Sequence, residues 1–402
     1  MSKKVLIVGG GFAGVWGALA AARLLDQQGK TGADVEVTLI SPDPALHIRP
    51  RLYEPSPQDM SAPFLPLLEA VGVRFVAGSV AQIRAGDQQV EVLATDGGKL
   101  TLPYDRLLLT SGSKLFRPPI PGLEEHAFSV DQIDDAVELD RHLAGLAALP
   151  DTPARNTVVV VGGGFTGLEL ATELPHRMRA VLGKDAKISV ILIDRAEEVG
   201  AGLGPNPRPA ILEALGSLGV ESRGGSGVAA IDATGVVTAS GVRIDAGTIV
   251  WTGGMRASSL TAQVSSSLDP LGRVEVTPDL RVIGTEHVFA AGDVARARTD
   301  DQGNYALMSC QHAIAMGRFG GHNAVADLLG LPTLEYRQHF YATCLDLGEW
   351  GAVYTEGWDR QVKLTAAAGK ARKRMINTVW IYPPPPDRAA ALAAGDPLFT
   401  FG

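Results

Sequence analysis

One pattern occurs twice in this chain and restricts its fold more than any other feature of the sequence. A continuous apolar run, Val5-Leu6-Ile7-Val8, breaks at Gly9-Gly10-Gly11-Phe12-Ala13-Gly14. The helix-favouring stretch Val15 to Leu25 follows, and then the β pattern Val35-Glu36-Val37-Thr38-Leu39-Ile40. The second copy has its strand at Thr157 to Val161 and its turn at Gly162-Gly163-Gly164-Phe165-Thr166-Gly167. A helix over Leu168 to Arg179 and a strand over Ile188 to Ile193 complete it. Apolar runs without alternation suit parallel strands covered on both faces. The spacing from Gly9 to Ser41 equals that from Gly162 to Asp194, so one α/β unit is present in duplicate.

The glycine spacing explains what such a unit is for. Gly9 permits a tight turn, Gly11 lets backbone amides approach a pyrophosphate, and Gly14 allows close helix–strand packing. Gly162, Gly164 and Gly167 repeat the set, each helix N-terminus facing the phosphates. The second strand of such a unit usually ends in an acid that bonds ribose hydroxyls. Ser41 holds that place in the first copy, with Asp43 two residues on, while Asp194 holds it in the second. A carboxylate repels a 2′-phosphate, so NADH is expected over NADPH, an inference weakened slightly by the adjacent Arg195.

Strands are also expected at Val73–Val80, Gln89–Leu93, Arg106–Leu109, Val220–Ser222, Ile249–Trp251 and Val288–Ala291, with a helix over Ser309–Leu329. The stiff segment Pro118-Pro119-Ile120-Pro121-Gly122 reads as a crossover between domains. The chain carries 44 acidic and 36 basic residues, the wrong balance for gripping nucleic acid. It has no run of apolar residues long enough to span a bilayer and no signal-peptide pattern at its start. Two cysteines, Cys310 and Cys344, are too few for a disulfide-stapled scaffold. The expectation is a soluble or peripheral cytoplasmic protein.

A third signal, Val288-Phe289-Ala290-Ala291-Gly292-Asp293, runs a strand into Gly-Asp and sets a carboxylate at the strand's C-terminal end. In order, Gly9–Gly14, Thr110-Ser111-Gly112, Gly162–Gly167, Trp251-Thr252-Gly253 and Phe289–Asp293 resemble the flavoprotein superfamily with two dinucleotide-binding domains. The resemblance covers about residues 1–330. It implies a discontinuous FAD domain (1–117 and 256–330), an inserted NAD(P)H domain (118–255) and a small C-terminal α+β domain (331–402).

Disulfide reductases and sulfide:quinone reductases of this superfamily need a cysteine well upstream of Cys310, and none exists. The chain is most similar to type II NADH dehydrogenases and ferroptosis-suppressor-like proteins, through Pro50-x-Leu52-Tyr53 and Phe165-Thr166-Gly167-Leu168-Glu169. Their quinone-lining motif is kept at Gln311, Ala313 and Gly317, while Cys310 and Ala315 depart from it. The resemblance therefore implies FAD contacts at Gly9, Gly11, Phe12, Ala13, Gly14, Ser41, Arg49, Val80, Thr110, Gly112, Gly292, Asp293, Gln311 and Ala313. NADH is expected at Gly162, Gly164, Thr166, Gly167, Glu169, Asp194 and Gly253, with Glu169 and Gln311 nearest the chemistry.

The activity implied is hydride transfer from NADH to flavin, then two electrons to a quinone-like acceptor. Two alternatives stand beside it: a reductase of a small iron–sulfur protein, and a flavin-holding regulatory protein with slow turnover. His47, His312 and His322 read as packing or surface residues, and Cys310 as a small hydrophobe. No metal-ligand spacing occurs. The run Lys370, Arg372, Lys373, Arg374 reads as a solvated helix face leading into a strand, ahead of a membrane-surface segment. A homodimer is left open.

Overall fold

The computed structural model describes residues 2–399. The first apolar run is strand β1 (Lys3–Val8), and helix α1 (Phe12–Gln27) begins inside the glycine turn. Next come β2 (Val35–Ser41), β3 (Arg74–Arg84), β4 (Gln89–Ala94), β5 (Lys99–Pro103) and β6 (Arg106–Leu109). The second copy supplies β7 (Thr157–Val161), α2 (Phe165–Leu182), β8 (Ser189–Ile193), β9 (Val220–Arg223) and β10 (Thr248–Trp251). After it follow β11 (Val288–Ala290) and α3 (Cys310–Leu329).

The first sheet has the order β11-β6-β1-β2-β3-β4-β5, the second β9-β8-β7-β10. The chain thus leaves the first sheet after β6 and returns to its edge at β11, where Phe289 pairs with Leu108. The second sheet is wholly parallel. Its strand β7 is buried throughout, as its run of four valines requires. Strand β3 serves two neighbours: Arg74–Ala77 runs parallel to β2, and Gly78 onward runs antiparallel to β4. Ser113–Leu115 and Met255–Ala257 pair antiparallel where the chain passes between the sheets.

Helices α1 and α3 meet along a seam of glycines. A Cβ at Gly317 would stand 2.3 Å from the Ala13 carbonyl oxygen, and one at Gly321 1.9 Å from that of Gly17. Neither position admits a side chain.

The C-terminal part is an antiparallel sheet of β12 (Ala342–Asp346), β13 (Ala352–Glu356) and β14 (Gln361–Leu364), covered by helix α4 (Ala366–Met375). Two expectations fail here. The basic run on α4 is not wholly solvated, since Lys373 is buried at 6% exposure. The residues after it form a π-helical turn, Ile376–Trp380, and not a strand. The turn buries Asn377, whose amide donates to Glu54 Oε1 at 2.9 Å and anchors the turn to the segment before β3. Among the described residues no helix is long and apolar enough to cross a membrane.

Candidate active site

The two glycine turns are superimposable in their constraints. Gly9 and Gly162 adopt φ +114° and +115°, open only to glycine. A Cβ at Gly14 would lie 1.8 Å from Gly9 O, and one at Gly167 1.7 Å from Gly162 O. Thr110 closes the first turn, its hydroxyl donating to Val8 O (2.9 Å) and Gly9 O (3.0 Å). Thr252 repeats this on Val161 O and Gly162 O, both at 3.0 Å. In contrast, a Cβ at Gly11 or Gly164 would meet nothing within 4 Å. Each turn therefore presents bare backbone at the start of a long helix to an open space, the form a pyrophosphate needs. The residues present fit two dinucleotides.

Around the first cradle, Gly292 approaches Ala13 and Ala313: its Cβ would stand 3.0 and 3.5 Å from theirs. Ser41 is buried against Gly10, where a Cβ would come within 2.6 Å of Ser41 Oγ. Phe12 stacks on Trp16, Val80 is half-buried in β3, and Gly112 has φ +65°. Next to the cradle, Ser113 Oγ donates to Asp293 Oδ2 at 2.6 Å, and Arg49 Nη1 is 3.9 Å from the same oxygen. Arg49 also pairs with the Asp131 carboxylate and donates to the Asp131 carbonyl at 3.1 Å. Burial pushes the Asp293 carboxyl above its ordinary value, opposed by Ser113 and Arg49. The buried Ser111 hydroxyl lacks a protein partner. A ribityl chain rich in hydroxyls suits this set.

In the second cradle, Asp194 Oδ2 accepts from Gly163 N–H at 2.7 Å and Oδ1 from Ala196 N–H at 2.9 Å. The carboxylate is thereby fixed beside the turn. Gly253 lies against the Trp251 ring, whose Nε1 donates to Gly253 O at 2.9 Å and Phe116 O at 3.0 Å. Thr166 sits in the first turn of α2.

Glu169, one turn into α2, is buried at 6% exposure. Its Oε1 accepts from Lys373 Nζ at 2.7 Å and from Asp346 N–H at 3.1 Å. Lys373 also donates to Cys344 O at 3.1 Å. Burial raises the Glu169 carboxyl, with Lys373 opposing. For Lys373, burial works against the ammonium but Glu169 outweighs it, and the amine is held above its ordinary value. Lys373 and Asp293 both act electrostatically on the Cys310 thiol, which burial pushes up to about 11. The pair joins α2 of the second unit to α4, and the Tyr53 ring from the first unit's segment lies 5.8 Å from Lys373 Nζ. Gln311 stands at the start of α3, its Oε1 3.5 Å from Ala342 N.

Lys373, Asp346 and Asp131 were missed by the sequence reading. The spacing of Lys370 and Lys373, one turn apart, puts both on one helix face without marking which is buried. His312 is fully buried, its Nδ1 2.9 Å from Ser309 Oγ, in line with the packing expectation. Both cysteines are free, and no cluster of metal-ligating side chains occurs among the described residues.

Residues 3–317 match the pyridine nucleotide-disulphide oxidoreductase family. The chain is 47% identical to an NADH dehydrogenase-like protein of Mycobacterium tuberculosis, over 98% of both chains. It is 28% identical to a demethylphylloquinone reductase of Synechocystis, covering 93% of this chain and 91% of that one. Among solved structures it is similar to NDH2 of Plasmodium falciparum in complex with NADH, with a TM-score of 0.77, 14% identity and 98% of each chain covered. That likeness bears on the fold alone. The duplicated cradles and the match over most of its length place this chain in the pyridine nucleotide-disulphide oxidoreductase family, as an NAD(P)H oxidoreductase.

Proposed function

We propose that the protein oxidises NADH and passes two electrons through FAD to a quinone. The observation that carries this reading is the buried ion pair Glu169–Lys373, set on α2 just beyond the open-fronted second glycine cradle and facing the Tyr53 ring of the first unit's segment. Residues 1–117 and 256–330 would hold FAD, 118–255 NADH, and 331–402 would close the site from the C-terminal side. When bound, the flavin supplies the two-electron chemistry; the protein supplies position and protons.

Gly11 and its neighbours would seat the FAD pyrophosphate, with Asp293, Ser113 and Arg49 ordering the chain beyond it. Gly164 and Asp194 would seat NADH, the fixed Asp194 charge disfavouring a 2′-phosphate. Glu169 and Lys373 would exchange the proton that a quinone takes up on reduction. Gln311 would bond the acceptor, its amide held in the structure by no more than the long 3.5 Å contact from Ala342 N–H among the described residues. The 28% identical demethylphylloquinone reductase supports a quinone acceptor over an iron–sulfur protein. Such a substrate brings the working enzyme to a membrane surface as a peripheral protein.

Stopped-flow absorbance of the flavin tests this. NADH should bleach the anaerobic protein, and a soluble quinone should restore the colour faster than a ferredoxin does. Gln311→Ala should slow the second step about five- to tenfold, the worth of a hydrogen bond of on the order of 1 kcal/mol. If it slows only the first step, Gln311 belongs to the nicotinamide side and the quinone assignment is wrong.

A further inference from the structure

The buried pair is one half of a larger array. Asp346, at the end of β12, is 5% exposed and its carboxylate accepts three hydrogen bonds. Tyr53 hydroxyl donates to Oδ2 at 3.0 Å, Gly348 N–H to Oδ1 at 3.0 Å, and Lys370 Nζ to Oδ1 at 2.5 Å. The backbone N–H of the same Asp346 donates to Glu169 Oε1. Two carboxylates and two ammoniums are thus held together: Lys373 bonds Glu169, and Lys370, one turn earlier on α4, bonds Asp346. Lys370 keeps about a third of its side chain in contact with solvent (35%), whereas Lys373 keeps 8%. Tyr53 joins the two halves, its hydroxyl on Asp346 and its ring 5.8 Å from Lys373 Nζ.

We propose that Asp346 is a positioning residue for proton transfer, its charge, balanced by Lys370, setting the pH at which the Glu169–Lys373 pair holds its transferable proton. This rests on the quinone reading above. NADH supplies a hydride and solvent a proton; NAD⁺ and hydroquinone leave, so NADH is oxidised, the quinone reduced, and one proton is drawn through the protein. That proton departs from the Glu169–Lys373 pair and is replaced from water at the Lys370 end of the array.

The electrostatics give this a direction. A second carboxylate beside Glu169 disfavours ionisation of the first, so Asp346 helps Glu169 keep its proton. Lys370 tempers that effect by neutralising Asp346. Among the described residues, Tyr53 from the segment before β3 and Cys344 from β12 also face the pair, and Glu54 acts on Tyr53. Cys310 faces the pair from α3, Arg372 acts on Cys344 from α4, and Glu173, with His176 and Arg177, lies on α2. Burial pushes both thiols up, to about 11 for Cys310 and about 12 for Cys344, so neither adds charge near neutrality.

The test uses holoenzyme reduced by NADH without oxygen and mixed with a short-chain ubiquinone analogue across pH. Each rate is referred to the same enzyme's rate with ferricyanide, an acceptor that takes up no proton. A proton donor fails as pH rises through its pKa. Asp346→Asn removes a negative neighbour and should move that alkaline limb down by roughly one pH unit. Lys370→Met removes a positive one and should move it up by a similar amount, and Asp346→Glu should restore the original position. Reduced-minus-oxidised infrared spectra should show a carboxyl C=O band whose titration shifts in the same opposed directions. Limbs and bands that stay put, or that move the same way in both variants, overturn the proposal; disruption of packing alone gives no opposed signs. If Asp346→Asn does not fold, Lys370→Met and its upward shift decide. If the wild type reacts with ferricyanide and not with the quinone, the acceptor reading fails, and the infrared titration still decides the coupling of Asp346 to Glu169.

Discussion

Lys373 Nζ lies 2.7 Å from Glu169 Oε1 across 204 residues of sequence, and both side chains are buried. Breaking a buried pair on one side leaves an uncompensated charge, which costs about 3–5 kcal/mol. Lys373→Met should therefore lower the unfolding free energy by an amount of that order in urea titrations near pH 7. The deficit should shrink on acidification. With Lys373 gone, the folded-state pKa of Glu169 rises further above its unfolded value. The folded protein then binds the proton more tightly, and stability recovers as pH falls below that raised value. A deficit independent of pH would mean that Glu169 is not the charge left stranded.

The glycines separate folding from binding. Gly11→Val should leave the fold intact, because a Cβ there meets nothing, yet weaken flavin binding at least about tenfold by filling the cradle. Gly164→Val should keep the flavin and raise KM for NADH by a similar factor. Gly14→Ala should fail differently, by loss of stability, since its methyl would stand 1.8 Å from the Gly9 carbonyl oxygen. Flavin absorbance, NADH titration and thermal melts distinguish the three.

Asp194 is tied at both oxygens by backbone amides and has little freedom to swing aside for a 2′-phosphate. Asp194→Asn keeps one acceptor oxygen and removes the charge. The ratio of kcat/KM for NADH over NADPH should fall by one to two powers of ten, about 1.4–2.7 kcal/mol of discrimination. A wild-type enzyme that uses NADPH as well as NADH would overturn the assignment.

How much of this was legible in sequence follows from physical range. Strands β1 and β7 were readable because burial on both faces imposes an unbroken apolar run. The cradles were readable because three glycines at fixed spacing answer to local sterics. Helix α1 begins three residues before the expected Val15, since Phe12–Gly14 belongs to the helix as well as to the turn. The C-terminal region was misread because its logic is distant: Lys373 is buried by a partner on α2, and Asn377 is held by Glu54. A basic run carries no mark of which lysine turns inward.

His312 offers a test of acid stability. It is fully buried beside Tyr341 and Trp358, and burial lowers its pKa from 6.5 to about 4. A base depressed in the fold binds its proton more readily when unfolded, so stability is lost as pH falls from 6.5 toward 4. The full shift is worth about 3 kcal/mol. His312→Phe should lose that much less than the wild type between pH 7 and 4, measured by denaturant midpoints at each pH. Equal losses would show that the imidazole is not protonated on unfolding.

The glycine seam between α1 and α3 has a mechanical consequence. Backbone meets backbone at Gly17 and Gly321, so the phosphate cradle at the head of α1 and Gln311 at the head of α3 move as one rigid bed. Between the two sheets, by contrast, the chain passes through a neck of paired strands only three residues long, Ser113–Leu115 against Met255–Ala257. Bonds outside the neck also tie the two units, from Arg49 to Asp131 and from Arg177 Nη1 to Tyr53 O at 3.0 Å. Held by the glycine seam, the head of α3, with Gln311, therefore stays in register with the glycine turn at the head of α1.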